Sequence, residues 1–326
     1  MNGLAEARAR SALAKAGLDP KVELVPLSSV TNEVWLAGDH VVRVNRHPVQ
    51  RLYREAILAD LMPAEVGIPQ VVKYGGIIGA DWTVVERIPG QILSRCWPSL
   101  SREQRRKAVS DLAYRLRHLH QWVCPEPIPN IESPQLLDSS EAQPVERVVA
   151  ALSRAQDLQH VDPVMILEAK AIVRDSATAL DPFDAKTFVH GDLHFENVMW
   201  DGEQVTAVLD FEWSRAAPPD LELDVLLRFC AHPQLHVAED YEHLTRPEDY
   251  AEVPWWLAED YPELFDVPRQ LERMRIYAIA FEVREVLLNP PQVPVAELHP
   301  AHPYHRLQQV VDGTSHLDAL AIAPSW

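Results

Sequence analysis

The sequence is short of cysteine, of positive charge and of long apolar runs, and each shortage removes a class of protein. Its three cysteines, Cys96, Cys124 and Cys230, lie far apart with no C-x-x-C pair among them. That excludes a disulfide framework and a thiolate zinc cage, leaving ordinary buried thiols in a reducing compartment. No segment approaches the roughly 18 uninterrupted apolar residues of a membrane span, and the opening MNGLAEARAR has no apolar signal core. The expectation is a cytoplasmic protein with no membrane partner. Lysine and arginine total 30 against 48 aspartates and glutamates, a formal net charge of -18. So acidic a chain is unsuited to gripping nucleic acid, where basic side chains must neutralise phosphates. The same charge either draws cationic ligands or serves solubility alone. A G-x-x-x-x-G-K loop is also missing, which excludes a Walker-type ATPase.

What is present suffices for a sizeable core. Hydrophobic residues make up 47% of 326 positions, and a chain of that length exceeds one ordinary domain, so two lobes are expected. Leu and Ala recur on one helical face over residues 4–16, ending at Gly17. Val34-Trp35-Leu36 and Val41-Val42 with Val44, separated at Gly38-Asp39, read as a hairpin. A helix is predicted over about 51–62, then strands near 69–74 and 82–88, closed by Pro89-Gly90. Beyond Gly90 helices dominate: Ser101-x-x-Gln104 is a capping box for a helix to about Gln121, and 165–180 and 267–288 are helix-like. The Pro-rich, polar stretch 125–164 has no clear element boundaries, and a β-rich island lies near 187–212. Strands first and helices later predict an α+β protein, with a ligand site in the cleft between a sheet lobe and a helical lobe.

The chemistry concentrates in HGDLHFENVMW, residues 190–200, followed after a turn at Asp201-Gly202 by VTAVLDFEW, residues 205–213. Phosphoryl transfer from a nucleotide needs a group that orients the attacking hydroxyl, and hard oxygen ligands for magnesium. Asp192 can take the hydroxyl's hydrogen bond and proton, while Asn197 and Asp210 can hold metal. Other readings exist. His190 and His194 have i, i+4 zinc spacing, but Gly191 and the flanking strand pattern oppose a helix there. His194-x-Glu196 lacks the P-C-x-x-C that a zinc deaminase requires. Asp and Asn are also ordinary loop formers.

The segment resembles the H-G-D-x-H-x-x-N and D-F-(D/E) motifs of the aminoglycoside phosphotransferase family, relatives of protein kinases. The match runs in order through His190, Gly191, Asp192, His194, Asn197, Asp210, Phe211 and Glu212. The resemblance implies a protein-kinase-like two-lobed fold, a small antiparallel sheet lobe plus a larger, mainly helical lobe. It makes Asp192 the catalytic base, Asn197 and Asp210 the ligands of Mg2+, and His190 and His194 structural members of the loop, with Glu212 assisting. No A-P-E sequence follows Asp210, which disfavours protein substrates.

Such a first lobe should present a phosphate-covering turn, a cation and a helical carboxylate. Ser28-Ser29-Val30-Thr31-Asn32 occupies the place of the turn without a glycine, so Ser29, Thr31 and Asn32 become candidate nucleotide contacts. Arg43 stands where kinases carry lysine, and Glu55 is its candidate partner; both are equally readable as surface charges. Glu86 and Ile88, in VVERIPG, resemble the linker whose backbone meets the nucleobase of ATP or GTP.

Acids and rings crowd the segment 239–266, among them Glu239, Asp240, Glu242, Trp255, Trp256, Glu259 and Asp260. In the family that region commonly supplies the acceptor site, and carboxylates with rings suit a cationic ligand; a solvated helical face looks the same. The expected organisation is a nucleotide-binding lobe over 1–89 and a helical lobe over 90–326. The latter carries the loops at 190–213 and an acceptor-binding part at about 233–305. The expected activity is transfer of a γ-phosphoryl group to a hydroxyl of a small molecule, an antibiotic such as an aminoglycoside. A metabolic kinase of choline, homoserine or sugar type and an idle nucleotide-binding module are the alternatives. The protein is expected to be a monomer or homodimer.

Overall fold

Side chains alternate with period two along the first strands, and the computed structural model shows where each face is used. It describes residues 2–27, 32–47, 50–77, 79–125, 128, 136–137, 144–183, 186–317 and 320. Helix α1 (Asn2–Lys15) precedes strands β1 (Val25–Leu27), β2 (Asn32–Ala37) and β3 (His40–Asn45), then helix α2 (Arg51–Leu61) and strands β4 (Val71–Gly75) and β5 (Trp82–Glu86). The five strands form one antiparallel sheet in the order β1-β2-β3-β5-β4. Trp35, Ala37, Val42, Val44, Trp82 and Val84 point to one face, where Ala9, Ala12 and Leu13 of α1 cover them. Val34, Leu36, Val41, Arg43 and Val85, the alternate positions, line a cleft on the other face.

The chain leaves the sheet through a short crossing that is pinned on both sides. Arg87 N donates to Asp39 O at 2.9 Å on the sheet side, and Thr206 Oγ1 donates to Pro89 O at 3.2 Å on the other. Gly90 has φ +112°, and a Cβ there would lie 2.2 Å from Trp200 O, so only glycine allows this approach. Strand β6 (Gln91–Ile92) pairs at once with the later hairpin at 198–208, and helices α3 (Leu93–Cys96) and α4 (Arg102–Gln121) follow. Ser101 and Gln104 close the capping box of α4 as the sequence predicts. Next come α5 (Pro144–Gln156), α6 (Pro163–Asp175), β7 (Phe188–Val189), β8 (Val198–Trp200), β9 (Val205–Val208), β10 (Arg215–Ala216), α7 (Asp220–Ala231), α8 (Val253–Asp260), α9 (Gln270–Leu288) and α10 (Pro303–Asp312). Helix α5 fills part of the stretch that the sequence left without boundaries. Its Val148, Val149, Ala151, Leu152 and Ala155 make one apolar face, buried in the helical core.

The architecture is therefore protein-kinase-like, an antiparallel sheet lobe beside a larger helical part. Among the described residues no helix is long and apolar enough to cross a membrane. None of the three cysteines forms a disulfide; Cys230 is buried, but Cys96 and Cys124 are only half-buried, unlike the expectation for the set.

Helix α2 belongs to the sheet lobe in sequence but is tied to the helical part by two arginines. Arg54 donates to Phe211 O at 2.9 Å and to Ser214 Oγ at 2.8 Å, and also to Ser214 O. Arg51 donates to both carboxylate oxygens of Glu212 at 3.0 Å and lies 4.6 Å over the Trp213 ring. Arg54→Met leaves buried acceptors of the 211–214 loop without a charged donor. A loss of about 3 kcal/mol in unfolding free energy by urea denaturation is expected.

Candidate active site

His190 sets the shape of the first loop. Its Nε2–H donates to Leu209 O at 2.8 Å, and its Nδ1 accepts from Asp192 N at 3.3 Å. Both nitrogens are thus used by the neutral ring, and full burial pushes its pKa down, in agreement. Gly191 takes φ +83°, and a Cβ would meet Trp213 O at 2.5 Å. Its N–H is received at 2.7 Å by Glu222, a fully buried acid near the start of α7. Burial raises the Glu222 carboxyl to about 7 against that hydrogen bond and the charge of Arg215.

These constraints present Asp192 with its side chain 40% exposed, 3.7 Å from His194 Nε2. Burial opposes the Asp192 charge, but His194 foremost, with His190 and His236, holds its pKa at about 2. The same pair raises His194 above its ordinary value in spite of burial. Asn197 Nδ2 donates to Asp192 O at 2.9 Å, and its own carbonyl accepts from Leu209 N at 2.8 Å. That spends the amide nitrogen and leaves Oδ1, the ligating atom, for other partners.

Asp210 is in the left-handed region, φ +62°, at the head of the turn Phe211–Trp213. Its Oδ1 is buried without a hydrogen-bond partner, as is Glu55 Oε1. Arg43 pairs with Glu55 through NH1, and its NH2 lies 3.8 Å from Asp210. Burial, and then the Asp210 charge, push the Glu55 carboxyl up against the pull of Arg43; burial and Asp210 likewise push up Glu212. Unpartnered carboxylate oxygens in an acidic cluster are hard donors of the kind a divalent cation takes, and the donor set suits magnesium. Among the described residues no three His, Cys, Asp or Glu side chains form a ready metal cage. Asp210 and Asn197 can supply two oxygen ligands, with phosphate and water for the rest. Glu212, engaged twice by Arg51, is held as a structural partner of α2.

The cleft above this group measures about 550 Å³. Val34, Leu36, Val41 and Val85 from the sheet, and Ile92, Met199 and Leu209 from below, give it apolar walls that suit a flat ring. Glu86 and Ile88 line its rear edge. Glu86 N is spent on Gln70 O at 3.0 Å, so that residue has its carbonyl to offer. Ser29 and Thr31 lie outside the described residues; Asn32 is buried at the start of β2.

The acid-rich segment is placed differently from what its composition suggests. Asp260 and Glu259 bind Arg106 of α4, at 2.8 and 3.3 Å, and Trp256 is buried under Arg102 at 5.5 Å. These residues dock α8 onto α4. Glu239, Asp240 and Glu242 are exposed on the 3-10 helix Glu239–Leu244, and Trp255 is exposed on α8. Tyr241 does reach the cleft, 5.1 Å from Arg95. A smaller cavity of about 50 Å³ opens beside Asp192 instead, lined by Leu221, Asp224, Val225 and Arg228 of α7, Tyr277, Ala280 and Phe281 of α9, and Arg215 and His236. Sequence reasoning missed this cavity, together with Glu222, Arg51 and Arg54. Their only sequence signal is charge at apolar helix positions.

A sheet lobe over a loop of this build defines a phosphotransferase of the protein-kinase-like class. The profile of the phosphotransferase enzyme family, APH, matches residues 23–256, and the chain belongs to that family. Its fold is similar to the ADP-bound aminoglycoside phosphotransferase APH(2'')-Ib, with TM-score 0.62, 16% identity, and 97% of this chain and 100% of that chain covered. It is also similar to a choline/ethanolamine kinase family protein from Mesorhizobium loti, with TM-score 0.58, 18% identity, and 99% of each chain covered. A third is a thermostable mutant of aminoglycoside phosphotransferase APH(4)-Ia with ADP and hygromycin B, with TM-score 0.59, 14% identity, and 97% and 99% covered. No curated protein matches the sequence.

The Asp192–His194 pair also carries a stability signature. A His raised above 6.5 stabilises the fold below that pH and loses the contribution as pH climbs through its folded value. An Asp depressed from 3.8 to about 2 contributes above 3.8 and loses the effect as pH falls through about 2. The pair is therefore fully effective between 3.8 and 6.5. Thermal unfolding should show His194→Gln losing more melting temperature at about pH 5.5 than at about pH 8.5.

Proposed function

We propose that the protein moves the γ-phosphoryl group of ATP or GTP to a hydroxyl of a small molecule. The observation that carries this reading is that Asn197 and Asp210 line an apolar, ring-sized cleft while Asn197 Nδ2 holds the backbone carbonyl of Asp192 beside it. In that step the acceptor hydroxyl donates a hydrogen bond to Asp192, and its oxygen bonds to the γ-phosphorus as the bond to the β-phosphate breaks. The proton passes to Asp192 and the nucleoside diphosphate leaves. A carboxylate held near 2 is a weak base, which suits a loose transition state that needs orientation more than deprotonation.

Magnesium bound by Asn197 and Asp210 would neutralise charge on the polyphosphate. Arg43, steadied by Glu55, would add a two-pronged phosphate contact in place of a lysine. Ser29, Thr31 and Asn32 would cover the phosphates, and the backbone of Glu86 and Ile88 would meet the base. Residues 1–89 then act as the nucleotide-binding lobe and 90–326 as the catalytic and acceptor-binding lobe.

For the acceptor, an amino-bearing antibiotic has the support of relatives captured with hygromycin B, streptomycin and kanamycin. A compact metabolic alcohol is the second reading, and one observation favours it: Glu259 and Asp260, acids that would serve a polycation, are spent on Arg106. An idle binding module, motivated by Arg43 in place of a lysine, is the remaining alternative, and nucleotide binding without turnover would favour it.

Asp192→Asn should lose about a hundredfold to ten-thousandfold in nucleoside diphosphate release while keeping nucleotide affinity. Asp210→Asn should lose magnesium-dependent nucleotide binding, measured by calorimetry. An Asp192→Asn variant with full activity contradicts the mechanism.

A further inference from the structure

The floor of the large cleft can be followed along the 198–208 hairpin. Trp200 pairs with Gln91 and Met199 with Ile92, and Asn197, two residues before Met199, faces the same cleft. Arg95 of α3 lines the cleft as well. Its NH2 donates to Glu196 Oε2 at 3.1 Å, which fixes it beside the residue that precedes Asn197. Arg95 therefore stands between the apolar part of the cleft, floored by Met199, and the end that carries Asn197 and Asp210. Ser94 Oγ also donates to Glu196, so the carboxylate that holds Arg95 is itself held. The Cζ of Arg95 lies 5.1 Å from the centre of the Tyr241 ring, and its Nε is closed off. The remaining amino group, NH1, has no hydrogen-bond partner among the described residues and is not closed off; the side chain as a whole is 34% exposed. Tyr241, half-buried and also in the cleft lining, belongs to the 3-10 helix Glu239–Leu244.

A guanidinium laid against a ring is oriented, and a carboxylate at one edge leaves its other edge to donate. With Glu196 balancing the charge, that edge suits a neutral oxygen better than a phosphate, whose natural place is at Arg43 and the candidate metal ligands. In a nucleotide whose base fills the apolar part and whose phosphates reach Asn197 and Asp210, the group between them is the ribose. We propose that Arg95, held flat by Tyr241, donates from NH1 to the ribose hydroxyls of the bound nucleotide, so that the cleft selects ribonucleotides. The assignment rests on the phosphotransfer reading and specifies how its nucleotide is recognised. It also gives a nucleotide role to one ring of the segment whose composition suggests an acceptor surface.

The test is calorimetric titration of the full chain, with magnesium, by ATP, GTP and their 2',3'-dideoxy counterparts. Whichever of ATP and GTP binds should do so about tenfold more tightly than its dideoxy form. Arg95→Met should weaken the ribonucleotide by about tenfold and leave the dideoxy form unchanged, so that the two become equal. Tyr241→Leu, which leaves Arg95 its charge but removes its ring, should shrink the difference part of the way, and it keeps the test decisive if Arg95→Met fails to fold. A wild-type protein that binds both forms equally overturns the proposal. So does a set of variants that weaken both forms alike, as a merely structural contact or a phosphate contact would. Failure of the phosphotransfer reading looks different: the wild-type protein then binds none of the four nucleotides.

Discussion

The two arginines of α2 are the joint on which the rest of the site depends. The loop from Asp210 to Ser214 concentrates acid in a half-buried place, next to Glu55 and with Asp210 in a left-handed conformation. Carboxylates in such proximity repel one another and would open the loop if left alone. Arg51 takes up the Glu212 charge, and Arg54 saturates the carbonyls that the turn exposes inward. The positively charged face of one short helix thereby holds a negatively charged turn from the other lobe. Glu55 then stands on that same helix with Arg43 as its partner.

Much of this was legible in the sequence because the candidate catalytic residues are contiguous. His190 to Trp213 supplies the loop, the hairpin and the acid turn within one stretch, and each residue type has a local reason for its place. Strand alternation in β2 and β3, the Gly38 turn and the Ser101 cap were equally local. The arginine clamp was not, because Arg54 and Phe211 are 157 residues apart and meet only in the folded chain. Glu222 was hidden for the same reason: a helix-start acid reads as a dipole effect until Gly191 is seen against it. Helix α5 was obscured by the prolines around it, although its apolar spacing is regular.

Composition is least informative where charges pair. The acids of 239–260 suggested an acceptor surface, yet charge counts do not reveal who neutralises whom. Asp249, Glu252, Glu259 and Asp260 face arginines spaced along α4, at Arg105, Arg102 and Arg106, and the pairs lock two helices together. The small cavity beside Asp192 departs from the average in its own way: in a chain of net charge -18 it is lined by two arginines, Arg215 and Arg228, with two aspartates, Asp192 and Asp224. Global charge thus says little about local preference.

The crossing between the lobes has a mechanical consequence. Arg87 is anchored to the sheet through Asp39, and Pro89 to the 198–208 hairpin through Thr206, with Gly90 close against Trp200. The length of chain left to bend between these anchors is Ile88, beside a proline whose φ is restricted. With α2 fastened to the 211–214 loop and Gly67 O accepting from Val208 N at 3.0 Å, the crossing is one of several ties between the sheet and the hairpin, and Ile88 is the slack left in this one.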